Sequence, residues 1–467
     1  MNLDGVKEIY FIGIGGIAMS AAAGLAKDLG YQVSGSDSKE IYAPAKDVLD
    51  KFAIPYNIGY DIKHIREAQA DLYIVSAGED SNNPEVNYLE SQETPLHSFS
   101  ELLGELAKDK IRIVVAGTNG KSTTTGLLGH VMSDIDDSSF MTGAVLQQYE
   151  SNFHSGTGHY FIFEGDEYKV LANDPTPKFH YYKPDTLILT NLEYDHPDMY
   201  GSLEEVKDEF RLLIANLPDD GLIIYNADDA HLAQLVHESN VASFSYGIAN
   251  PADYKVSDII FNQKSTSFTI NNEKWEKPEE YSIMLAGQLN IYNALGPIAL
   301  LRSLGFQRDQ IYPLVETYWG VKRRLEHIGE KNNIHVYDDY AHFPTAIHET
   351  LAATRSRYPK SRIVAIFEPH TYSRTEATLA ELATSFQLAD MAIIAEVYPA
   401  RERKRPESIT GQQVVNAIEA NHPNVKLVKD KIRALELLKK ELKTGDVVIV
   451  MAVGSFNTLA YELIENL

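Results

Sequence analysis

The chain has 467 residues, 44% of them hydrophobic and 23% charged, with a net charge of −24 and no cysteine. That length exceeds one ordinary core, so two to four domains are expected, and the composition is that of a soluble globular protein. Disulfides, thiolate metal sites and a thiol nucleophile are excluded, no run approaches the roughly 20 apolar residues of a bilayer span, and the acidic balance argues against a nucleic-acid partner.

Met1-Asn-Leu-Asp-Gly-Val-Lys7 lacks a basic segment followed by an apolar one, so no signal peptide is read and a cytoplasmic location is the default. Lys7 to Ser20 reads as a strand, a Gly loop and a helix start. Gly13, Gly15 and Gly16 form the loop, and Ala18 stands where a dinucleotide fingerprint places its third small residue. A helix from Met19 to Leu29 leads to a strand, Gln32–Asp37, whose terminal Asp37 is placed to hold a ribose or uridine group. A third strand, Leu72 to Gly78, carries Ser76 near its end. NAD binding by an oxidoreductase competes for this Gly loop.

A helix from Ser98 to Ala107 and the polar Lys108-Asp-Lys110 precede Ile111-Arg-Ile-Val-Val-Ala-Gly-Thr-Asn-Gly-Lys-Ser-Thr-Thr-Thr125. This stretch reads as a buried strand, a tight loop and the first turn of a helix. The loop's backbone N–H groups would face an anion, and the helix dipole would favour it. Lys121 would reach the outer phosphates, and the hydroxyl of Ser122 or Thr123 would ligate Mg²⁺. Val115 occupies the place of the first Gly of the usual phosphate-loop pattern.

Tyr160 to Tyr168 is a strand running into carboxylates, with Glu164 and Asp166 expected on one face and Glu167 on the other. Thr186 to His196 repeats the theme, ending in Asn191, Glu193, Asp195 and His196. Two acidic strand ends beside a phosphate loop would supply the one or two carboxylates that Mg²⁺ takes. Gly287-Gln-Leu-Asn-Ile-Tyr-Asn293 lies at a helix start, where Asn side chains cap the helix or read an adenine edge. From Arg323 onward, strands at Ile334–His342, Ile363–His370, Met391–Tyr398 and Val447–Gly454 alternate with helices. That alternation implies a parallel sheet with its working loops at the strand C-ends, where His370 and Arg374 fall.

These motifs together resemble the Mur ligase family over essentially the whole chain. The resemblance rests on Gly13-Ile-Gly-Gly-Ile-Ala-Met-Ser20, Ser34-Gly-Ser-Asp37, Gly117-Thr-Asn-Gly-Lys-Ser122, Glu164-Gly-Asp-Glu167, Asn191-Leu-Glu-Tyr-Asp-His196, Arg323-Arg-Leu-Glu326, Asp338-Asp-Tyr-Ala-His342 and Glu368-Pro-His-Thr-Tyr-Ser-Arg-Thr375. It is similar to the branch acting on UDP-N-acetylmuramate, which comprises an L-alanine ligase and a recycling ligase for the L-alanyl-γ-D-glutamyl-meso-diaminopimelate tripeptide. Tyr42-Ala-Pro44, Asn57–Asp61, Glu167-Tyr168 and Lys178–Asp185 are similar to the tripeptide ligase; Phe367–Thr375 and Glu396–Glu402 are similar to the L-alanine ligase. The family reads its amine mainly through the third domain, which favours L-alanine.

The resemblance implies an α/β chain of three domains. These are a Rossmann-like UDP-substrate domain over 1–108, a central P-loop ATPase-like domain over 109–320, and a Rossmann-like C-terminal domain over 321–467. It implies ATP and Mg²⁺, small-molecule substrates, no nucleic acid or membrane partner, and a monomer or homodimer. It assigns Gly117, Thr118, Asn119, Gly120, Lys121, Ser122, Thr123, Asn293, Arg324 and Asp338 to the nucleotide, and Ser122, Glu164 and His196 to the metal. It assigns Gly15, Gly16, Asp37 and Ser76 to UDP. Tyr340, His342, His370 and Arg374 would face the reacting groups, with Lys121, His196, His342, His370 and Arg374 as catalytic residues. Closure of the domains over the two nucleotides is expected with it. Asn119 replaces a His usual in this branch, Gly165 an Ala, and Phe343 a second His. Asp208-Glu-Phe-Arg211 lacks the Lys that many relatives carbamylate.

Overall fold

A computed structural model describes residues 1–194, 199–400 and 402–467. They form two compact units, one comprising residues 1–259, 268–283 and 290–319, the other residues 260–267, 284–289 and 320–467. Both are α/β with mostly parallel sheets, as the alternation of apolar strands and helices implied. No helix among the described residues is long and apolar enough to cross a membrane.

In the first unit, five parallel strands begin the chain. Their order across the sheet is Tyr56–Ile58, Gln32–Asp37, Glu8–Ile12, Leu72–Val75 and Leu96–His97. The order reverses beside Glu8–Ile12, and such a switch point opens a crevice at the strand C-ends. Ile9 and Phe11 face one core, Tyr10 and Ile12 the other, so the strand is apolar throughout. The helix Ile17–Asp28 buries the small residues Ala21, Ala22, Ala23 and Gly24. A Cβ on Gly24 would lie 2.7 Å from the Phe153 ring. That close approach joins the N-terminal sheet to the central one in a shared core.

Glu85 organises the outer side of this sheet. It is fully buried. Its carboxylate accepts from Ser36 Oγ at 2.5 Å and from Asp61 N at 3.1 Å, and lies 2.9 Å from His64 Nδ1. Removing it would orphan the buried Ser36 hydroxyl and His64 ring, at about 1–3 kcal/mol for an unsatisfied donor. Glu85→Ala is therefore expected to lower the thermal midpoint of the protein measurably, read by calorimetry; an unchanged midpoint would show that the network carries no stability.

The central sheet has ten strands. Its middle is parallel, with Ile111–Ala116 between Thr186–Leu189 and Tyr160–Gly165. Residues 113–116 are wholly buried, as a strand covered on both faces must be. The helix Lys121–Ile135 leaves from its C-end. The sheet's outer pair, Ser139–Leu146 and Ser151–His154, is antiparallel. Several strands stop earlier than their apolar runs suggest: Leu72 to Gly78 ends at Val75, and the run from Thr186 ends at Leu189. The small and polar residues that follow turn away from the sheet and form the loops that carry the site.

The second unit has a six-stranded sheet in the order Glu326–Lys331, Ile334–Asp339, Val447–Met451, Ile363–Phe367, Met391–Ala395 and Val425–Val428. The first pair is antiparallel and the remainder parallel. Val364 and Ile366 pack on one side, Ile363, Ala365 and Phe367 on the other. Pro344 opens the helix Pro344–Arg357 at its first position, where its missing N–H costs nothing.

Candidate functional site

The loop Gly117–Gly120 is held by its neighbouring strand end rather than by its own turn. Asn191 accepts from Thr118 N through its carbonyl at 3.0 Å and from Asn119 N through its side chain at 2.8 Å. Thr190 Oγ1 and Asn191 Nδ2 both donate to the Asn119 carbonyl, at 2.7 and 3.0 Å. Glu193 N donates to Thr118 Oγ1 at 2.9 Å. At the strand end read as an acidic cluster, Asn191 and Glu193 brace the loop. Asp195 and His196 lie outside the described residues.

Two glycines make the loop possible. Gly117 has φ +140°, and a Cβ there would sit 2.1 Å from Thr190 Oγ1. Gly120 has φ +83°, and its Cβ would lie 2.2 Å from Asn293 Oδ1. Both positions thus need glycine for conformation and for space. The second also brings Asn293, buried near the start of the helix Gln288–Ser303, against the loop.

Lys121 is buried, and its ammonium donates to Gly117 O at 2.7 Å and to Glu167 Oε2 at 2.9 Å. Burial alone would lower its pKa, but the Glu167, Asp166 and Glu164 carboxylates outweigh that and raise it above the ordinary value. Ser122 Oγ donates to Glu164 Oε1 at 2.7 Å. Thr142 Oγ1 and Gly143 N donate to the other oxygen at 3.0 and 2.6 Å. Burial and the Asp166 charge still push Glu164 up. Thr123 is buried beside Ser122, and its carbonyl accepts from Tyr318 Oη at 3.4 Å.

Glu164 and Asp166 lie close enough for the Asp166 charge to act on Glu164, but they take different partners. The strand ends at Gly165, and strict alternation ends with it. Glu164 turns to Ser122, Asp166 pairs with Lys178 Nζ at 3.1 Å, and Glu167 reaches Lys121. Among the described residues no three of His, Asp or Glu converge as a metal cluster. Glu164 and Ser122 are the oxygen donors that the loop itself brings together.

At the N-terminal sheet the predicted residues do converge. Gly15 N donates to Asp37 Oδ2 at 2.8 Å, and Gly16 caps the following helix. A Cβ on Gly13 would lie 2.8 Å from that of Ser76. Asp37 therefore fixes the Gly loop as well as lining its crevice.

In the second unit, Tyr340, His342, His370 and Arg374 gather at the strand C-ends. The His342 ring meets Tyr340 at 5.2 Å and His370 at 5.7 Å. His342 Nδ1 lies 2.8 Å from the Tyr340 carbonyl, which can only accept, so Nδ1 carries the proton and Nε2 the lone pair. Burial pushes the His342 pKa down to about 3, with the Arg374 and Arg324 charges adding to the effect. Burial and Arg374 lower His370 as well. Both rings are neutral at pH 7. Among the described residues the Arg374 and Arg324 guanidiniums have no hydrogen-bonded carboxylate, so this corner suits an anion. Asp338 is fully buried, with its carboxyl pushed up to about 7, first by burial.

Of the two adjacent arginines the sequence favoured Arg324 for the nucleotide. Both guanidiniums lie over the Tyr340 ring, and Arg323 in addition brings its Nε to 3.4 Å from Asp338 Oδ2. Asp339, which spacing did not single out, accepts from Leu325 N at 2.6 Å and Ala341 N at 2.7 Å and so ties this corner together. Its signal was its place at a buried strand end.

Family models match along the chain: "Mur ligase family, catalytic domain" over residues 8–111, "Mur ligase middle domain" over 115–301, and "Mur ligase, glutamate ligase domain" over 323–454. The chain is 34% identical over 464 residues to a UDP-N-acetylmuramate–L-alanine ligase of Desulforapulum autotrophicum, covering 98% of each. Its fold is similar to the crystal structure of a UDP-N-acetylmuramate–alanine ligase from Thermotoga maritima, with a TM-score of 0.81 at 24% identity over 98% of each chain. It is also similar to a murein peptide ligase from Psychrobacter arcticus, with a TM-score of 0.72 at 27% identity over 98% of each chain.

Proposed function

The chain belongs to the Mur ligase family, and from that premise we propose that it joins L-alanine to the lactyl carboxylate of UDP-N-acetylmuramate, at the expense of ATP, in peptidoglycan synthesis. It is an ATP-dependent ligase. The comparisons give no support to a nicotinamide-linked oxidoreductase. The observation that carries the reading is the pairing of Lys121 and Ser122 with Glu167 and Glu164 at one strand–loop–helix junction.

The reaction proceeds through an acyl phosphate. The muramate carboxylate attacks the γ-phosphorus, ADP leaves, and the amine then displaces phosphate from the acyl carbon. The first step brings two anions together, so its barrier is largely electrostatic. Lys121 supplies a fixed positive charge at the outer phosphates. Glu164 and Ser122 fit Mg²⁺: both are hard oxygen donors, already within 2.7 Å of each other. They would hold that ion, with His196 assigned to it by resemblance; bound there, it neutralises phosphate charge. Gly117–Thr123 and Asn293 cradle the nucleotide, to which the resemblance also assigns Arg324 and Asp338. Gly15, Gly16, Asp37 and Ser76 take the UDP portion.

Arg374 would hold the amino acid's carboxylate, beside the neutral rings of His342 and His370. Those rings add no second positive charge to repel an ammonium. With this division of labour go three working regions, 1–108, 109–320 and 321–467. Cytoplasmic action and a monomer or homodimer complete the proposal.

The deciding experiment offers ATP, Mg²⁺ and UDP-N-acetylmuramate with either L-alanine or the tripeptide, and weighs the product. Addition of one alanyl residue is expected. Turnover only with the tripeptide would assign the recycling role, and turnover with neither would overturn the proposal.

A further inference from the structure

The loop after Met391–Ala395 grips the segment that carries His370 and Arg374. Tyr398 and His370 form a parallel bridge, and their rings stack at 5.9 Å. Tyr398 N donates to Pro369 O, and Thr371 N returns a bond to Tyr398 O, both at 2.8 Å. Four residues on, Glu402 reaches the same segment. Its Oε2 accepts from Tyr372 N at 2.7 Å and Ser373 N at 3.1 Å, and its Oε1 accepts from the Ser373 hydroxyl.

Between these two grips lies Thr371, at φ +60° and ψ 148°. A β-branched residue rarely adopts a positive φ, and such conformations persist only where surrounding contacts over-determine them. Here the contacts come from both sides: Tyr398 before the turn and Glu402 after it. The turn matters because it aims the next residues. Thr371 Oγ1 accepts from Arg374 N at 3.4 Å, and the helix Tyr372–Ala377 starts there. The backbone of Arg374 is thus set by a turn that is not stable by itself.

We propose that Glu402 is a positioning residue for the incoming amino acid: it holds the strained turn at Thr371 and thereby fixes the direction of Arg374 and the seat of His370. It touches no reacting atom. The assignment rests on the amine-site reading of Arg374 given above. The Ser373 hydroxyl and the two N–H groups hold the Glu402 carboxyl below its usual range despite the opposing effect of burial, so the carboxylate is charged at neutral pH and caps the turn as an anion.

The experiment uses full-length Glu402→Ala and Glu402→Gln, with ATP, UDP-N-acetylmuramate and L-alanine. In Glu402→Ala the KM for L-alanine is expected to rise at least tenfold, while the KM values for ATP and UDP-N-acetylmuramate stay within twofold. Glu402→Gln, which keeps an acceptor of the same reach, is expected to recover most of the loss. Equal rises for all three substrates, or no rise for L-alanine, would overturn the assignment. A crystal structure of Glu402→Ala gives a second readout that needs no turnover. Thr371 should leave its positive φ and the Arg374 guanidinium should move; an unchanged turn and guanidinium would also overturn it. If the parent protein ligates no amine, the functional reading fails, and the crystal structure still decides whether Glu402 holds the turn.

Discussion

Lys121→Ala is expected to abolish ATP-dependent phosphate release in the presence of UDP-N-acetylmuramate. The lysine is the fixed cation at the head of the phosphate loop, and clamps of this kind are worth about 3–4 kcal/mol of transition-state stabilisation each, or about 10²–10³ in rate. Stability should fall too. The Lys121 and Glu167 side chains are 9% and 6% exposed, and taking one partner from a buried pair costs about 3–5 kcal/mol. The double variant Lys121→Met with Glu167→Gln separates the two effects. It should recover much of the thermal stability and none of the turnover. Full activity in Lys121→Ala would remove the lysine from the mechanism, and inactivity with an unchanged midpoint would show that the pair carries no stability.

Arg374→Ala is expected to lower kcat/KM for L-alanine by about 10²–10³, since truncating one partner of a desolvated charge pair costs about 2–5 kcal/mol. Nucleotide binding should change little. Arg374→Lys should recover only part of the loss, because an ammonium cannot present two parallel N–H donors to a carboxylate. Steady-state kinetics with L-alanine varied at saturating ATP would show this. An equal loss of affinity for ATP would place Arg374 at the nucleotide instead.

Much of this site is legible in the linear chain where chemistry and local geometry coincide. Gly117-Thr-Asn-Gly-Lys-Ser122 joins a buried strand to a helix, and glycines at positive φ are what that junction requires. Asp37 closes a strand beside the Gly loop for the same reason. Contacts across sequence are less legible. Asn191 looks like one more acidic-cluster neighbour until it is seen holding Asn119 from 72 residues away. Alternation assigned Glu167 to the face away from Glu164, and the strand's end at Gly165 frees Glu167 to reach Lys121. Arg323 and Arg324 are indistinguishable by spacing; the turn between them and Asp338 decides which one pairs.

The outer strands were obscure for another reason. Ser139–Leu146 contains Thr142, Gly143 and Ala144, so neither a clean two-residue alternation nor a continuous apolar run marks it. Its place is set by pairing with Tyr160–Gly165, a tertiary effect. Glu402 lies 30 residues from the turn it caps, so the stretch Glu396–Glu402 carries a resemblance in the linear chain but not this contact.

Catalysis requires Lys121 to exchange its carboxylate partner for phosphate. Crystals of the protein grown with a non-hydrolysable ATP analogue, Mg²⁺ and UDP-N-acetylmuramate test that directly. The expected density places the β- and γ-phosphates within hydrogen-bond distance of Lys121 Nζ, with a divalent ion between them and Glu164 and Ser122. Lys121 still bound only to Glu167, with nucleotide seated elsewhere and no ion beside Glu164, would contradict it.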